Sequence, residues 1–129
     1  MLENKKCILA YGLDVVELMK LQQAKVKIIR VTEDMGKVLV KDILAGSTDK
    51  IASDKLPKNE KFVIFNNLSN MQMELAMALT TRILKKKPVL ATVTETSLDW
   101  EFEYLIEHLL EEREWHKTNK GSAMRHEQE

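Results

Sequence analysis

The residues best suited to hold a ligand lie just after two apolar runs. Tyr11-Gly12-Leu13-Asp14 closes the run that starts at Cys7, and Asn66-Asn67-Leu68-Ser69 follows Phe62-Val63-Ile64-Phe65. Each stretch joins a strand-like run to a helical one. In open α/β sheets ligands bind beyond the carboxyl ends of the strands, where the strand order reverses. Gly12, Asp14, Asn66, Asn67 and Ser69 therefore make the candidate crevice, with Thr32, Glu33, Thr94, Glu95 and Thr96 expected at the same edge. Amide, hydroxyl and main-chain donors at two helix N-termini can receive a small polar ligand or an anion. The same residues also have local work to do. Asp14, Thr32, Ser69 and Ser97 stand where helix caps are needed, and Asn66-Asn67 is a turn pair. The capping reading outweighs the ligand one.

Other chemistry is poorly supported. Cys7 lies in an apolar run with no base beside it, so a packed thiol is expected rather than a nucleophile. Histidines occur at 108, 116 and 126. His116 follows Glu112 by one helical turn, a two-ligand spacing for which the chain offers no third ligand, and no metal or cofactor is implied. No phosphate-cradling, dinucleotide, nucleophile-elbow or zinc-protease motif occurs, and there are only 4 glycines to build a phosphate loop. No catalytic residue is nominated, and the reading leans away from an enzyme. Arg82, Lys85, Lys86 and Lys87 form a basic cluster without interleaved aromatics, which suits a helix C-terminus better than nucleic acid.

The composition narrows the class. In 129 residues, 44% are hydrophobic and 31% charged, which is ordinary for one globular domain. Lys and Arg number 20 and so do Asp and Glu, so no net field attracts nucleic acid or an anionic membrane. The single Cys excludes an internal disulfide and fits a reducing setting. The apolar run near the N-terminus is too short for a span or a signal segment, and a soluble cytoplasmic protein is expected.

The elements that position these residues alternate. Cys7 to Tyr11 reads as a strand, Asp14-Val15-Val16-Glu17 as a capping box opening a helix to about Ala24, and Val26 to Val31 as a second strand. Lys27 and Arg30 put charge on both faces of that second strand, which makes it an edge. Thr32 is expected to cap a helix carrying Met35, Leu39 and Ile43 and ending near Ala45-Gly46. Residues 47 to 60 are a mobile loop. Lys61 to Lys87 is the clearest stretch: a buried strand, a turn, and a helix capped by Ser69 with Gln72, closing on Lys85-Lys86-Lys87 before Pro88. Val89 to Val93 gives a fourth strand, and Thr94-Glu95-Thr96-Ser97 caps a last helix reaching about Lys117.

The order βαβα, loop, βαβα predicts an α/β three-layer sandwich with a four-stranded, mainly parallel sheet of order 2-1-3-4, helices on both faces and a duplicated half. Residues 1–118 form the domain and 119–129 a disordered tail. The same topology puts the 47–60 loop at the edge opposite the crevice, where it cannot cover a ligand.

The last helix carries more information. Leu98, Phe102, Leu105, Ile106 and Leu109 fall on one face, which is the core face. Trp100, Tyr104, His108 and Trp115 fall together on another. The helix after Ser69 has a broad apolar arc from Leu75, Leu79 and Ile83 to Met73, Met77 and Leu84. Two helices with surplus apolar surface point either to self-association or to burial within the molecule, under the tail and a neighbouring helix.

In its second half above all, the chain resembles a family of small bacterial α/β proteins known as a domain of unknown function. The likeness rests on Phe62-Val63-Ile64-Phe65 before a turn and helix, the strand end Ala91-Thr92-Val93-Thr94, Trp100, Leu105 and the acidic pair Glu111-Glu112. The family tends to have Asn where this chain has Ser97, and both cap well. The resemblance implies a single α/β domain and supplies no activity, cofactor or catalytic residue. The leading expectation is a protein-interaction or regulatory module, homodimeric through the aromatic stripe, without membrane attachment. The alternative is a binding protein or enzyme for a small ligand at the crevice.

Overall fold

The computed structural model describes residues 6–118. The expected tail, 119–129, lies outside them. The sheet has four strands in the order β2-β1-β3-β4: β1 is Cys7–Tyr11, β2 Lys27–Val31, β3 Phe62–Asn66 and β4 Val89–Thr92. The expected order is the observed one. β1 runs parallel to β2 and β3 parallel to β4, but β1 and β3 are antiparallel, with Leu9 opposite Ile64 at the middle of the sheet.

Strand alternation divides the core into two layers. Cys7, Leu9, Tyr11, Phe62 and Ile64 face one way, against α2 (Val40–Leu44) and α4 (Phe102–Thr118). Ile8, Ala10, Val63 and Phe65 face the other way, against α1 (Val15–Leu21) and α3 (Asn70–Ile83). This is why β1 and β3 are apolar at every position except Asn66: both of their faces are covered. Phe102, fully buried, lies 6.0 Å ring to ring from Tyr11 and anchors α4 over the sheet centre.

The halves repeat one device. After each central strand a residue takes a left-handed conformation, Gly12 (φ 85) or Asn67 (φ 57). A Leu and a cap follow, and both caps close complete capping boxes, Asp14 with Glu17 and Ser69 with Gln72. The antiparallel β1–β3 seam relates the two βαβ units by an approximate two-fold axis normal to the sheet. On the α2/α4 side, Leu39 and Glu101 form an antiparallel bridge between the halves: Val40 donates to the Trp100 carbonyl at 2.8 Å and Phe102 to that of Val38 at 3.0 Å. The layout supports the duplicated half.

Three helix boundaries differ from expectation. The helix expected from Thr32 to Ala45 is a 3₁₀ turn, Glu33–Met35, followed by the short α2. Gly36 keeps helical angles, packed against Ser53 with no room for a side chain; the helical path is lost at Leu39, which is extended and bridges Glu101. Thr32 makes no side-chain cap; its hydroxyl instead meets the Asp34 carboxylate. α3 ends at Ile83, with Leu84 extended, so Lys85-Lys86-Lys87 lie in the link to β4 rather than on the last helical turn. The last helix begins at Phe102. Thr96–Asp99 is a separate 3₁₀ turn, Ser97 closes it through bonds to Thr94, and Trp100 is extended.

Candidate functional site

The antiparallel seam rearranges the crevice residues. Cys7 stands opposite Asn66 and Tyr11 opposite Phe62, so the carboxyl ends of β1 and β3 are at opposite edges of the sheet, a strand length of roughly 15 Å apart. Gly12 and Asp14 lie at one edge, and Asn66, Asn67 and Ser69 at the other. The single crevice expected between them is not formed, because alternation of strands and helices does not by itself fix the direction of β3. In its place are two clefts related by the approximate two-fold axis. One, of about 270 Å³, is lined by residues that include Tyr11, Gly12, Asp14, Arg30, Thr32, Glu33 and Lys58. The other, of about 150 Å³, is lined by residues that include Asn66, Asn67, Thr94, Glu95 and Leu98. Sites for drug-sized ligands usually span roughly 300–1,000 Å³.

The 47–60 segment also belongs to the Gly12 edge, contrary to expectation. The antiparallel β3 starts where β1 ends, so the chain leading into β3 must arrive there. The Tyr11 hydroxyl donates to the Pro57 carbonyl at 2.8 Å, and the Gly12 α-carbon faces the Glu60 carbonyl at close range. Burial, with a smaller contribution from the nearby Glu33 carboxylate, raises the Tyr11 phenol above its usual range. The segment has no regular structure but is fastened in depth: Leu56 is buried, and the buried Ser53 hydroxyl donates to the Glu103 carboxylate of α4.

Each crevice residue has a structural task. Asp14 accepts from the Glu17 amide at 2.8 Å, and Ser69 from the Gln72 amide at 3.1 Å. Glu17 also pairs with Lys61 at 2.6 Å, tying the start of α1 to the start of β3. Asn66 and Asn67 are each already partnered. Among the described residues no group of three His, Cys, Asp or Glu side chains is placed to hold a metal, and Cys7 is a buried thiol.

The aromatic residues do converge. Trp100, although outside the helix, meets Tyr104 edge-on at 4.7 Å and His108 at 5.2 Å. His108 reaches Glu112 at 3.3 Å. Trp115 lies on the same face of α4 as Tyr104, roughly 16 Å further along, with its ring 5.2 Å from that of His116. Tyr104 is 51% exposed and Trp115 54%, whereas the core face of Phe102, Leu105 and Ile106 is buried.

Next to this stripe runs a groove the sequence reading missed. Lys87, Pro88, Val89 and Leu90 form one wall, Leu109, Glu112, Arg113, His116 and Lys117 the other, enclosing about 670 Å³. Its signal in the sequence was the uncharged strand Val89 to Thr92 followed by a helix longer than that strand. At its inner end Arg113 makes a two-pronged bond to Glu60 at 2.9 and 3.0 Å. That bond holds the Glu60 carboxyl below the usual carboxylate range against the opposing effect of burial, with help from Lys86 and Lys117. Among the described residues no helix is long and apolar enough to cross a membrane.

Residues 61–115 match the model of a family described as a domain of unknown function (DUF3783). Nothing matches among curated proteins, and nothing among solved structures. The matched span runs from the start of β3 into α4, which is the second βαβ unit together with its aromatic stripe.

Proposed function

We propose that this chain, of which residues 61–115 match a domain of unknown function, is a small cytoplasmic protein-interaction module of a bacterial cell that self-associates through the outer face of α4. The observation that carries the reading is exposed Tyr104 and Trp115 on the outer face of α4, whose core face is already complete, with Trp100, just before the helix and partly packed on the core, meeting Tyr104 and His108. Exposed Tyr104 and Trp115, with half-buried Trp100 and His108 beside Tyr104, and the acidic residues Glu107, Glu111 and Glu112 on the same helix, have the composition of an interface centre and rim. Met71, Leu75 and Met77 on α3 add exposed apolar surface on the opposite layer. The ligand-binding alternative has lost the geometry it needed, since its residues are divided between two small clefts and occupied in capping.

The experiment is solution mass by light scattering over a concentration series, for the wild type and for the pair Tyr104→Ala with Trp115→Ala. Both side chains are half exposed, so the fold tolerates their removal. A dimer that dissociates in the double variant is the expected result. A wild type that stays monomeric at every concentration overturns the reading.

A further inference from the structure

Among the described residues the sheet ends in two edge strands, β2 and β4, and they are built differently. β2 carries Lys27 and Arg30, both exposed, the usual device for keeping an edge from pairing with another chain. β4 reads Val-Leu-Ala-Thr and carries no charge. Its parallel pairing fixes which groups are spent. Val89 donates to the Lys61 carbonyl at 2.8 Å and Val93 to that of Phe65 at 2.9 Å. Val89, Ala91 and Val93 therefore turn their main-chain groups inward, and alternate residues, Leu90 and Thr92, turn theirs to the open edge. Among the described residues β4 has no strand on that side. The groove between β4 and α4 opens along the same edge, and the His108–Glu112 contact joins the groove wall to the aromatic stripe. Unpaired strand, groove and exposed aromatics thus share one side of the molecule.

We infer that β4 is the seam of a homodimer, pairing antiparallel with β4 of a second copy so that two four-stranded sheets become one. The inference rests on the self-association reading and adds to the outer face of α4 a main-chain seam at the neighbouring strand edge. One register satisfies the open edge fully. With Ala91 facing Ala91 on the two-fold axis, Leu90 of each copy exchanges both main-chain hydrogen bonds with Thr92 of the other. The side chains agree with that register. The axis falls at a non-hydrogen-bonded position, where strands come closest, and the residue there is small. Val89 comes opposite Val93, an apolar β-branched cross-strand pair. Just beyond the strands, exposed Lys87 of one copy is brought toward exposed Glu95 of the other, twice over by symmetry. A shift of one residue toward the amino end brings Thr92 against Pro88, which has no N–H to give. A shift toward the carboxyl end brings Leu90 against Thr94, whose amide is already donated to the Ser97 hydroxyl at 2.9 Å. An isologous contact of this kind closes on itself and leaves the charged β2 edges outermost.

The test combines a charge exchange with an amide-exchange measurement on the full chain. Lys87→Glu and Glu95→Lys each place like charges together at both ends of the seam and are expected to weaken the dimer roughly tenfold. The double exchange restores opposite charges and is expected to recover wild-type dissociation, which no merely destabilising change would do. Thr92→Pro removes an outward donor and is expected to give a folded monomer. The charge variants, on exposed side chains outside the strand, decide the matter should that proline disturb β4. In the wild type the Leu90 and Thr92 amides are expected to exchange more slowly as concentration rises. A dimer insensitive to all these changes, with fast exchange at both amides, overturns the seam and leaves self-association through α4 standing. A wild type that is monomeric throughout overturns both.

Discussion

Gly12→Ala and Gly46→Ala impose the same backbone penalty in different surroundings. Both glycines are left-handed, at φ +85 and +90, a conformation that costs an alanine about 1–2 kcal/mol. At Gly46 a new β-carbon would meet nothing within 4 Å. At Gly12 it would lie 2.3 Å from the Glu60 carbonyl oxygen and 3.3 Å from the Lys61 α-carbon. Those are main-chain atoms, and their positions are held. The Lys61 carbonyl accepts from Val89 at 2.8 Å, the Lys61 ammonium pairs with Glu17 at 2.6 Å, and the Glu60 carboxylate is gripped by Arg113. Relief requires moving the start of β3 by about 1 Å, an overpacking strain of about 1–3 kcal/mol. Gly46→Ala is thus expected to lose about 1–2 kcal/mol and Gly12→Ala about 3–4 kcal/mol. At about 4 °C per kcal/mol for a domain of this size, the two should melt visibly apart. Urea unfolding with unchanged slope measures both losses. If they agree within about 0.5 kcal/mol, the entry to β3 yields freely, and the account of how the 47–60 segment is fixed against β1 is wrong.

Other outcomes follow from contacts already described. Ser53→Ala leaves the buried Glu103 carboxylate without its hydroxyl donor and is expected to destabilise by about 1–3 kcal/mol in the same assay. Ser69→Ala removes the acceptor at the start of α3 and should cost about 1 kcal/mol, read from the urea midpoint. The Glu60 carboxyl titrates lower in the folded than in the unfolded chain, so its contribution is complete above the ordinary value of 4.5 and is lost as pH falls through the lower, folded one. Arg113→Gln is therefore expected to flatten the fall of stability below that pH. An unchanged slope in urea midpoints measured across the acid range would show that the pair does not couple to folding.

How much of this the sequence disclosed depends on how local the determinant is. The caps at Asp14 and Ser69 were readable because a side chain, an amide and a spacing of three residues contain the whole interaction. The strand order was readable because two fully apolar runs require central positions and Lys27 with Arg30 requires an edge. The direction of β3 was not. The 47–60 connection is long enough to enter the sheet from either edge, and what fixes its entry is a set of distant contacts: Tyr11 with Pro57, Ser53 with Glu103, Glu60 with Arg113. The crevice failed with that one direction. The break before α2 also depends on a distant neighbour, since the extended Leu39 bridges Glu101 of the second half. On α4 the core face and the outer aromatic face were both readable from helical periodicity. Trp100 belongs to the cluster through an extended link that periodicity cannot describe.

The antiparallel β1–β3 seam has a consequence for how the chain assembles. Each βαβ unit closes its own parallel pair from neighbouring sequence, whereas the seam joins residues an entire half-chain apart, and such long-range pairing pays the larger loop-closure entropy. Until it zips, β1 and β3 present bare apolar edges that are nearly interchangeable by the approximate two-fold axis. At high concentration a first half can then pair with the second half of another molecule instead of its own, with residues 47 to 60 serving as the hinge. Refolding at high concentration should therefore trap exchanged dimers, and those dimers should revert only when the anchors at Leu56 and Pro57 let go.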